Sequence, residues 1–590
     1  MALRTPPSRR QLLLAPVLII IIAIFILLSV FSSKYTDLLW FRDVSRNSQA
    51  DFTSVFSIRL QTQLVLFLAY GALMALIVGL NIWVAYRIRP PYRPHSLEQE
   101  NLDRYRSVVE PHARSIFVVL LTGLVLISGS SGTGSWRTWQ LWLHKQPFGV
   151  QDPVFHRDIS YYAFTYPLYR QVVGFAFGAF FFATLAAIAT HYLFGGVRVQ
   201  TQGDKVIPAA RAHISVLLGV LAALKAVFYW LDRSGMVFSN RGSVTGASYT
   251  DVHARLPVLL LLVLAASLCS LLFFANLRSR GFLLPGVAFA LLVLSSILLG
   301  FVYPLIVQTA QVRPNELKYE RPYIGRNIEA TRKAYGIDTV QTAPFDAAGN
   351  AQLADLLAPG SNLEHVRLLD PNKLKATFEQ LQAIRQYYGF AKTLDIDRYA
   401  GADGQTQDFV VGVREVDLSK LAADQKGNWL NQHVLYTHGT GFVAVPTDAV
   451  TADGKPAFAV KDIPTTGFLK IDEPRVYFGE LSPNYSIIAS PTSGEVDGLQ
   501  DVSQGVGYHY TGPAGVSLGG IRRLLYAVRF REPNLLISGA VGGNAKILYG
   551  RNPRDRVQQV APYLKLDSDP YPAIIGGRVT WIVDGYTTSA

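Results

Sequence analysis

Up to about residue 308 the chain alternates long apolar runs with shorter polar stretches, and beyond that point no apolar run is long enough to cross a bilayer. A helix spanning a hydrocarbon core about 30 Å thick needs roughly 20 apolar residues. Seven runs are read as spans, at about 11–31, 60–86, 115–130, 172–194, 214–231, 256–275 and 282–308. The third, SIFVVLLTGLVLISGS, is short and ends in Gly and Ser. The first, LLLAPVLIIIIAIFILLSVF, is longer than the apolar core of a secretory signal and has no small-x-small cleavage site after it. It predicts an uncleaved helix with its N-terminus in the cytoplasm.

After residue 312 the pattern changes to short elements separated by turn signals. Residues 362–389, NLEHVRLLDPNKLKATFEQLQAIRQYYG, read as helix, with Asp370 capping before Pro371. DFVVGVRE at 408–415, RVYFGE at 475–480, 486–489 and GRVTWIVD at 577–584 read as strands. Residues 429–446 read as a short helix or strand, a Gly turn and a strand, while 521–531 and 554–563 read as helices. The expected fold class is a membrane protein: an all-α seven-helix transmembrane bundle (1–312), then a mixed α+β soluble domain (313–590).

Charge supports this division. The net charge of +13 resides in the first half, where 26 Lys and Arg stand against 12 Asp and Glu up to Val312, while the remainder holds 29 against 30. A nucleic-acid-binding domain should carry a basic face, and here the excess lies between apolar runs, so nucleic acid is not an expected partner. With the N-terminus inside, inner loops hold 14 Lys and Arg and outer loops 11. That bias orients the N-terminus inward, and seven spans then put the soluble domain outside. The expected location is the bacterial plasma (inner) membrane, and the lipid bilayer is the expected partner. The single cysteine, Cys269, lies in an apolar run and excludes an intrachain disulfide.

The outer loops are aromatic. Trp136, Trp139 and Trp142 can share one helical face, which suits the headgroup zone or a docking lip for a lipid or the soluble domain. Lys225 is the main ionisable residue within a span; it can serve transport, snorkel to the headgroups, or pair with Asp232. His191 and His213 sit at inner helix ends. In the soluble half, His433 and His438 have a spacing of five, which is not the i, i+4 pair of a helical zinc site, and they suit polar residues near a turn. Asp395 and Asp397 share one face if extended, and Asp567 and Asp569 repeat the spacing; either pair could contribute oxygens to a hard cation, but the other ligand positions are missing. Arg551, Arg554 and Arg556 form a basic cluster. No P-loop or G-x-G-x-x-G dinucleotide-binding pattern is present. The sequence therefore assigns no catalytic residue, no cofactor and no metal, and leaves Lys225, Asp395, Asp397, His433 and His438 as functional candidates.

Several strings resemble the UPF0182 family of bacterial membrane proteins: YTDLLWFRDV, GASYTDVHARLP, ERPYIGRNIEATRKAYGID, YYGFAKTLDIDRY, NWLNQHVLYTHGTGF, PRVYFGE and GRVTWIVDGYTTS. The resemblance implies seven transmembrane helices followed by a large extracytoplasmic region, and it transfers no catalytic motif. It also implies a chain that continues past Ala590. The function expected is that of a non-enzymatic envelope component whose outer domain binds a protein partner, a lipid or an envelope polymer. A transporter or lipid-handling protein and an envelope enzyme are the alternatives.

Overall fold

Long uninterrupted helices dominate the computed structural model, which describes residues 9–587 apart from 49, 91–96, 199–204, 279–280, 282, 345–348, 350–351, 357, 359–365, 402–403, 491–493 and 500–506. Among the described residues seven helices are long and apolar enough to cross a membrane, and the chain is a multi-pass membrane protein on that basis. They are built from α1 (Arg9–Arg46), α2 (Thr53–Arg87), α3 (Leu97–Thr133), α5 (Tyr166–Leu193), α6 (Pro208–Ser234), α7 (Leu256–Ala275) and α8 (Leu283–Ile297), with the short α4 (Trp136–Leu143) between α3 and α5. The third helix extends beyond the span read at 115–130. It begins at Leu97, because LEQENLDRYRSVVE continues the helix in a polar stretch that apolar-run length cannot detect. The last run also continues as helix beyond 308, through α9 (Glu316–Ala334).

The chain divides into two compact units, one of residues 59–344 with 588–590, the other of 1–58 with 345–587. In the first, small residues let helices approach closely. Ala179, Ala183 and Ala187 of α5 pack with Met74, Val78 and Leu217, and Ala222, Ala226 and Ala266 lie at the core of α6 and α7. Polar contacts join the same helices: Ser270 Oγ donates to the Gly219 carbonyl at 2.8 Å, and Asn276 Nδ2 to Ser215 Oγ at 2.9 Å. His191 Nε2 and His213 Nδ1 are 3.1 Å apart, and His213 Nε2 meets Asn81 Oδ1 at 2.9 Å, so these histidines tie helix ends together.

In the second unit, five antiparallel strands pair in the order β1 (Asp395–Ala400), β2 (Thr406–Val413), β3 (Phe442–Pro446), β4 (Val460–Lys461) and β5 (Thr466–Gly467). β2 reads as a continuous apolar run because both its faces are covered. On one side Val410, Val443 and Val445 pack with Leu374 and Phe378 of α10 (Pro371–Gln382). On the other, Phe409, Val411, Val413, Phe442 and Ala444 pack against Trp581 and its neighbours. α10 is all that forms of the helix read at 362–389: Asp370 caps it, receiving the Asn372 amide. Residues 388–389 are a strand, and 362–365 lie outside the described residues.

A three-stranded sheet follows, ordered β6 (Tyr485–Ile488), β8 (Lys546–Tyr549), β7 (Val516–Ser517), and then the hairpin β9 (Tyr571–Ile575) and β10 (Arg578–Ile582). The upper half of α1 completes its core. Leu39, Trp40 and Phe41 are buried with Tyr485, Ile487, Tyr526 and Ile547. Trp40 Nε1 donates to the Tyr549 carbonyl at 3.2 Å, the Tyr549 hydroxyl donates to the Thr36 carbonyl, and Asp43 receives the Gly515 amide at 3.0 Å. The segment between the first two apolar runs, YTDLLWFRDV, is therefore helix, and its aromatic residues are core.

Candidate functional site: a buried histidine beneath an aromatic cleft

His438 lies just before the short strand at Gly439–Thr440, which pairs with Arg475–Val476. This pairing brings Thr437 and His438 beside Tyr477. The segment carrying Glu495 and Asp497 lies against them, fixed by backbone hydrogen bonds between Glu495 and Tyr508. His438 is 1% exposed. Its Nδ1 faces Glu495 Oε2 at 3.4 Å and Thr437 Oγ1 at 3.0 Å. Its Nε2 is 3.7 Å from Asp497 Oδ1, an ion-pair distance too long for a hydrogen bond. The ring stacks on Tyr477, centroids 4.8 Å apart, and Tyr477 donates its hydroxyl to Glu495 at 2.7 Å.

Burial opposes a charge on His438, but Asp497 and Glu495 outweigh it and raise the imidazole above its ordinary value. Burial likewise disfavours ionised Glu495 and Asp497. The histidine and, for Asp497, Arg475 reverse that, lowering Glu495 and holding Asp497 at about 2. Arg475 reaches Asp497 Oδ2 with Nε at 3.1 Å and Nη2 at 2.8 Å, and its guanidinium lies 3.8 Å from the centroid of the Tyr508 ring. Below this cluster Arg551 is buried: Nε donates to the Tyr477 carbonyl at 2.7 Å, and its other nitrogens to Ser486 Oγ and the Thr437 carbonyl.

Above the cluster a cleft of about 350 Å³ opens, lined by Arg475, Tyr477, Tyr508, Tyr510, Arg578 and Trp581 among others. Trp581 is held by a hydrogen bond from Nε1 to the Phe478 carbonyl at 2.8 Å. Arg475 is already matched by Asp497 and Glu473. Arg578 is exposed and has no ion-pair partner among the described residues. The cleft thus offers flat aromatic surface and one free guanidinium over a rigid ionic base.

The other candidates fall elsewhere. His433 stacks on the Tyr485 ring at 3.9 Å and bonds the Tyr485 carbonyl through Nδ1 at 2.9 Å, a packing role. Asp395 and Asp397 are extended on β1, and Asp397 receives the Arg398 amide. Burial, with repulsion from Asp569 and Glu480, pushes Asp395 up to about 8; burial and Asp569 push Glu480 up to about 7. Among the described residues no group of three or more His, Cys, Asp or Glu could hold a metal ion. Lys225 does not pair with Asp232: its ammonium sits 4.4 Å from the Tyr229 ring centroid, and Asp232 pairs with Arg170 at 2.5 Å. Glu495, Asp497, Arg475 and Trp581 were not singled out by sequence. The alternation of acid and apolar residues in GEVDGL was the available signal, and it is common in solvated turns.

These charges set a pH dependence. The folded-state values of Asp395, Glu480 and His438 lie above the unfolded ones. The stability each contributes is complete below the unfolded value, about 4 for the carboxyls and about 6.5 for the imidazole. It is lost as pH rises through the folded value, up to about 8 for Asp395. Glu495 and Asp497 act oppositely: the stability they contribute is lost as pH falls through their lowered values, about 2 for Asp497. The thermal midpoint is therefore expected to fall by about 5 °C between pH 5 and pH 8. Asp395→Asn should shrink that fall, and a flat wild-type profile in a melting series would refute the assignment.

A family model described as "Uncharacterised protein family (UPF0182)" matches residues 14–590. The chain is 51% identical to a UPF0182 protein of Frankia casuarinae, over 99% of this chain and 57% of that protein. It is 44% identical to one of Streptomyces coelicolor, over 99% of this chain and 58% of that protein. It is 40% identical to one of Thermobifida fusca, over 98% and 63%. The chain thus spans about three-fifths of the length of these relatives. No solved structure matches it. With the family model covering nearly its whole length and relatives at this identity, the chain belongs to the UPF0182 family.

Proposed function

We propose that this protein is a non-enzymatic, membrane-anchored binding component of the bacterial envelope, whose domain of residues 345–587 lies outside the plasma membrane. The cleft under Trp581 and Arg578 takes a saccharide segment bearing an acidic group, as part of an envelope polymer. The observation that carries this reading is the cleft's lining: aromatic rings from Tyr477, Tyr508, Tyr510 and Trp581, with Arg578 free of a carboxylate partner among the described residues. Rings of this kind present apolar faces with polar edges, and a free guanidinium forms paired hydrogen bonds with carboxylate or phosphate. The buried His438–Glu495–Asp497 cluster makes the floor rigid and does not reach the cleft as a free nucleophile or base.

The test is calorimetric titration of the full chain in lipid nanodiscs with soluble oligosaccharides, neutral and phosphate- or carboxylate-bearing. Trp581→Ala is expected to weaken binding of both classes by about tenfold or more. Arg578→Gln should weaken the acidic class selectively. Acidic oligosaccharides that bind neither protein, or both equally, would overturn the reading.

A further inference from the structure

The helix α11 (Ile521–Phe530) and the turn of helix α12 (Asn534–Ile537) carry an apolar surface that the cleft does not use. One face of α11 is core: Leu525, Tyr526 and Ala527 are buried. The other presents Ile521, 68% exposed, and Leu524. α12 adds Leu536 and Ile537, the latter 77% exposed. Arg523 joins the two, donating to the Leu535 carbonyl through Nε and to the Ser538 carbonyl through Nη2 at 3.0 Å. Four large apolar side chains therefore sit close together on two elements tied by one arginine.

Their position along α1 identifies what covers them. The apolar residues of α1 from Val17 to Phe31 are mostly exposed, as a bilayer-spanning segment requires. Ser32, directly after them, is fully buried, and its Oγ donates to the Leu525 carbonyl. Further along α1, Arg529 bonds Thr36 Oγ1 and Asp37 Oδ1, both at 2.6 Å. The Arg529 end of α11 thus lies on the side away from the apolar segment. Its first turn, Ile521–Leu524, lies toward that segment, at the level where α1 leaves the hydrocarbon. Arg522 stands in that first turn and has no ion-pair partner among the described residues.

We propose that the α11–α12 patch is a membrane-contact surface that inserts into the headgroup zone of the leaflet from which α1 emerges. Ile521, Leu524, Leu536 and Ile537 enter the acyl boundary, and Arg522 meets lipid phosphates. An interfacial helix of this composition buries its apolar side about 5–10 Å deep. The surface extends the lipid contact that α1 already makes, and it fixes the domain's lower face against the bilayer.

The test places a fluorophore on the patch in the full chain. In a Cys269→Ala background, Ile537→Cys and, separately, Ile521→Cys carry an environment-sensitive dye, and the protein is set in phospholipid nanodiscs. Quenching by a nitroxide on an upper acyl carbon is compared with quenching by iodide in the water. Both sites are expected to be quenched by the lipid-borne nitroxide about threefold more efficiently than by iodide, as an interfacial depth requires. Val450→Cys, on an exposed apolar residue of the same unit, is the aqueous reference. Iodide as effective as the nitroxide at both patch sites would overturn the proposal. Because both substitutions are on exposed residues, the domain's fold is retained, and a normal thermal midpoint checks it.

Discussion

Arg551→Met is expected to destabilise the unit of residues 1–58 with 345–587 by ~4 kcal/mol, enough to abolish most of a typical domain's margin. The guanidinium is 2% exposed and spends its three nitrogens on the Tyr477 carbonyl, Ser486 Oγ and the Thr437 carbonyl. These acceptors come from three separate segments, so one side chain joins them. Methionine fills much of the volume but donates nothing, leaving buried carbonyls unsatisfied at about 1–3 kcal/mol each before relaxation. It also removes the positive charge that partly offsets Glu415, which burial pushes up to about 7. Arg551→Lys keeps the charge without the planar fork and should fall between the two. Chemical denaturation of the full chain in nanodiscs, followed by tryptophan fluorescence, measures the loss. A cost below ~1 kcal/mol for the methionine variant would show that the three acceptors find water or other donors instead.

Trp40→Ala carries the second large effect, a loss of ~4 kcal/mol from the same unit. The indole is 3% exposed, meets the Phe41 ring edge-on at 5.0 Å, and donates to the Tyr549 carbonyl. Truncation leaves a cavity in the core shared by α1 and the three-stranded sheet, together with an unpaired carbonyl. Trp40→Phe keeps most of the packing and should cost ~1–2 kcal/mol, chiefly the hydrogen bond. Phe25→Ala, on the exposed apolar stretch of α1, should leave the unit within ~0.5 kcal/mol. The same denaturation series separates these outcomes, and equal losses for Trp40→Ala and Phe25→Ala would remove α1 from the domain core.

The spans were legible because uninterrupted apolar length is a local property. What the sequence obscured was helix that continues into polar or aromatic residues. LEQENLDRYRSVVE before the third apolar run has no apolar stripe wide enough to announce itself, and LLWFRDV after the first looks like an interfacial loop. The helical state of LLWFRDV is set by packing: Leu39, Trp40 and Phe41 find partners some five hundred residues later. β2 was legible since a short apolar run bounded by polar residues suits a strand buried on both faces. The site was barely legible. His438 was visible as a histidine near a turn, but its ion-pair role depends on Glu495 and Asp497, which only the fold brings to it. Lys225 attracted notice as a charge in a span, yet its neighbour is the Tyr229 ring one turn along the same helix.

The seam between α1 and the sheet also has a history in time. Trp40 and its acceptor Tyr549 are 509 residues apart in the chain. At ~5–20 residues per second, about 25–100 s of synthesis separate them. For most of that interval, until Tyr485 and Ile487 are made, Leu39, Trp40 and Phe41 are finished but have nothing of the sheet to pack against, so the nascent chain must hold an unpaired apolar face clear of aggregation. A fragment of residues 345–587 made without α1 meets the mirror image of this problem, with its sheet complete and one side of its core uncovered.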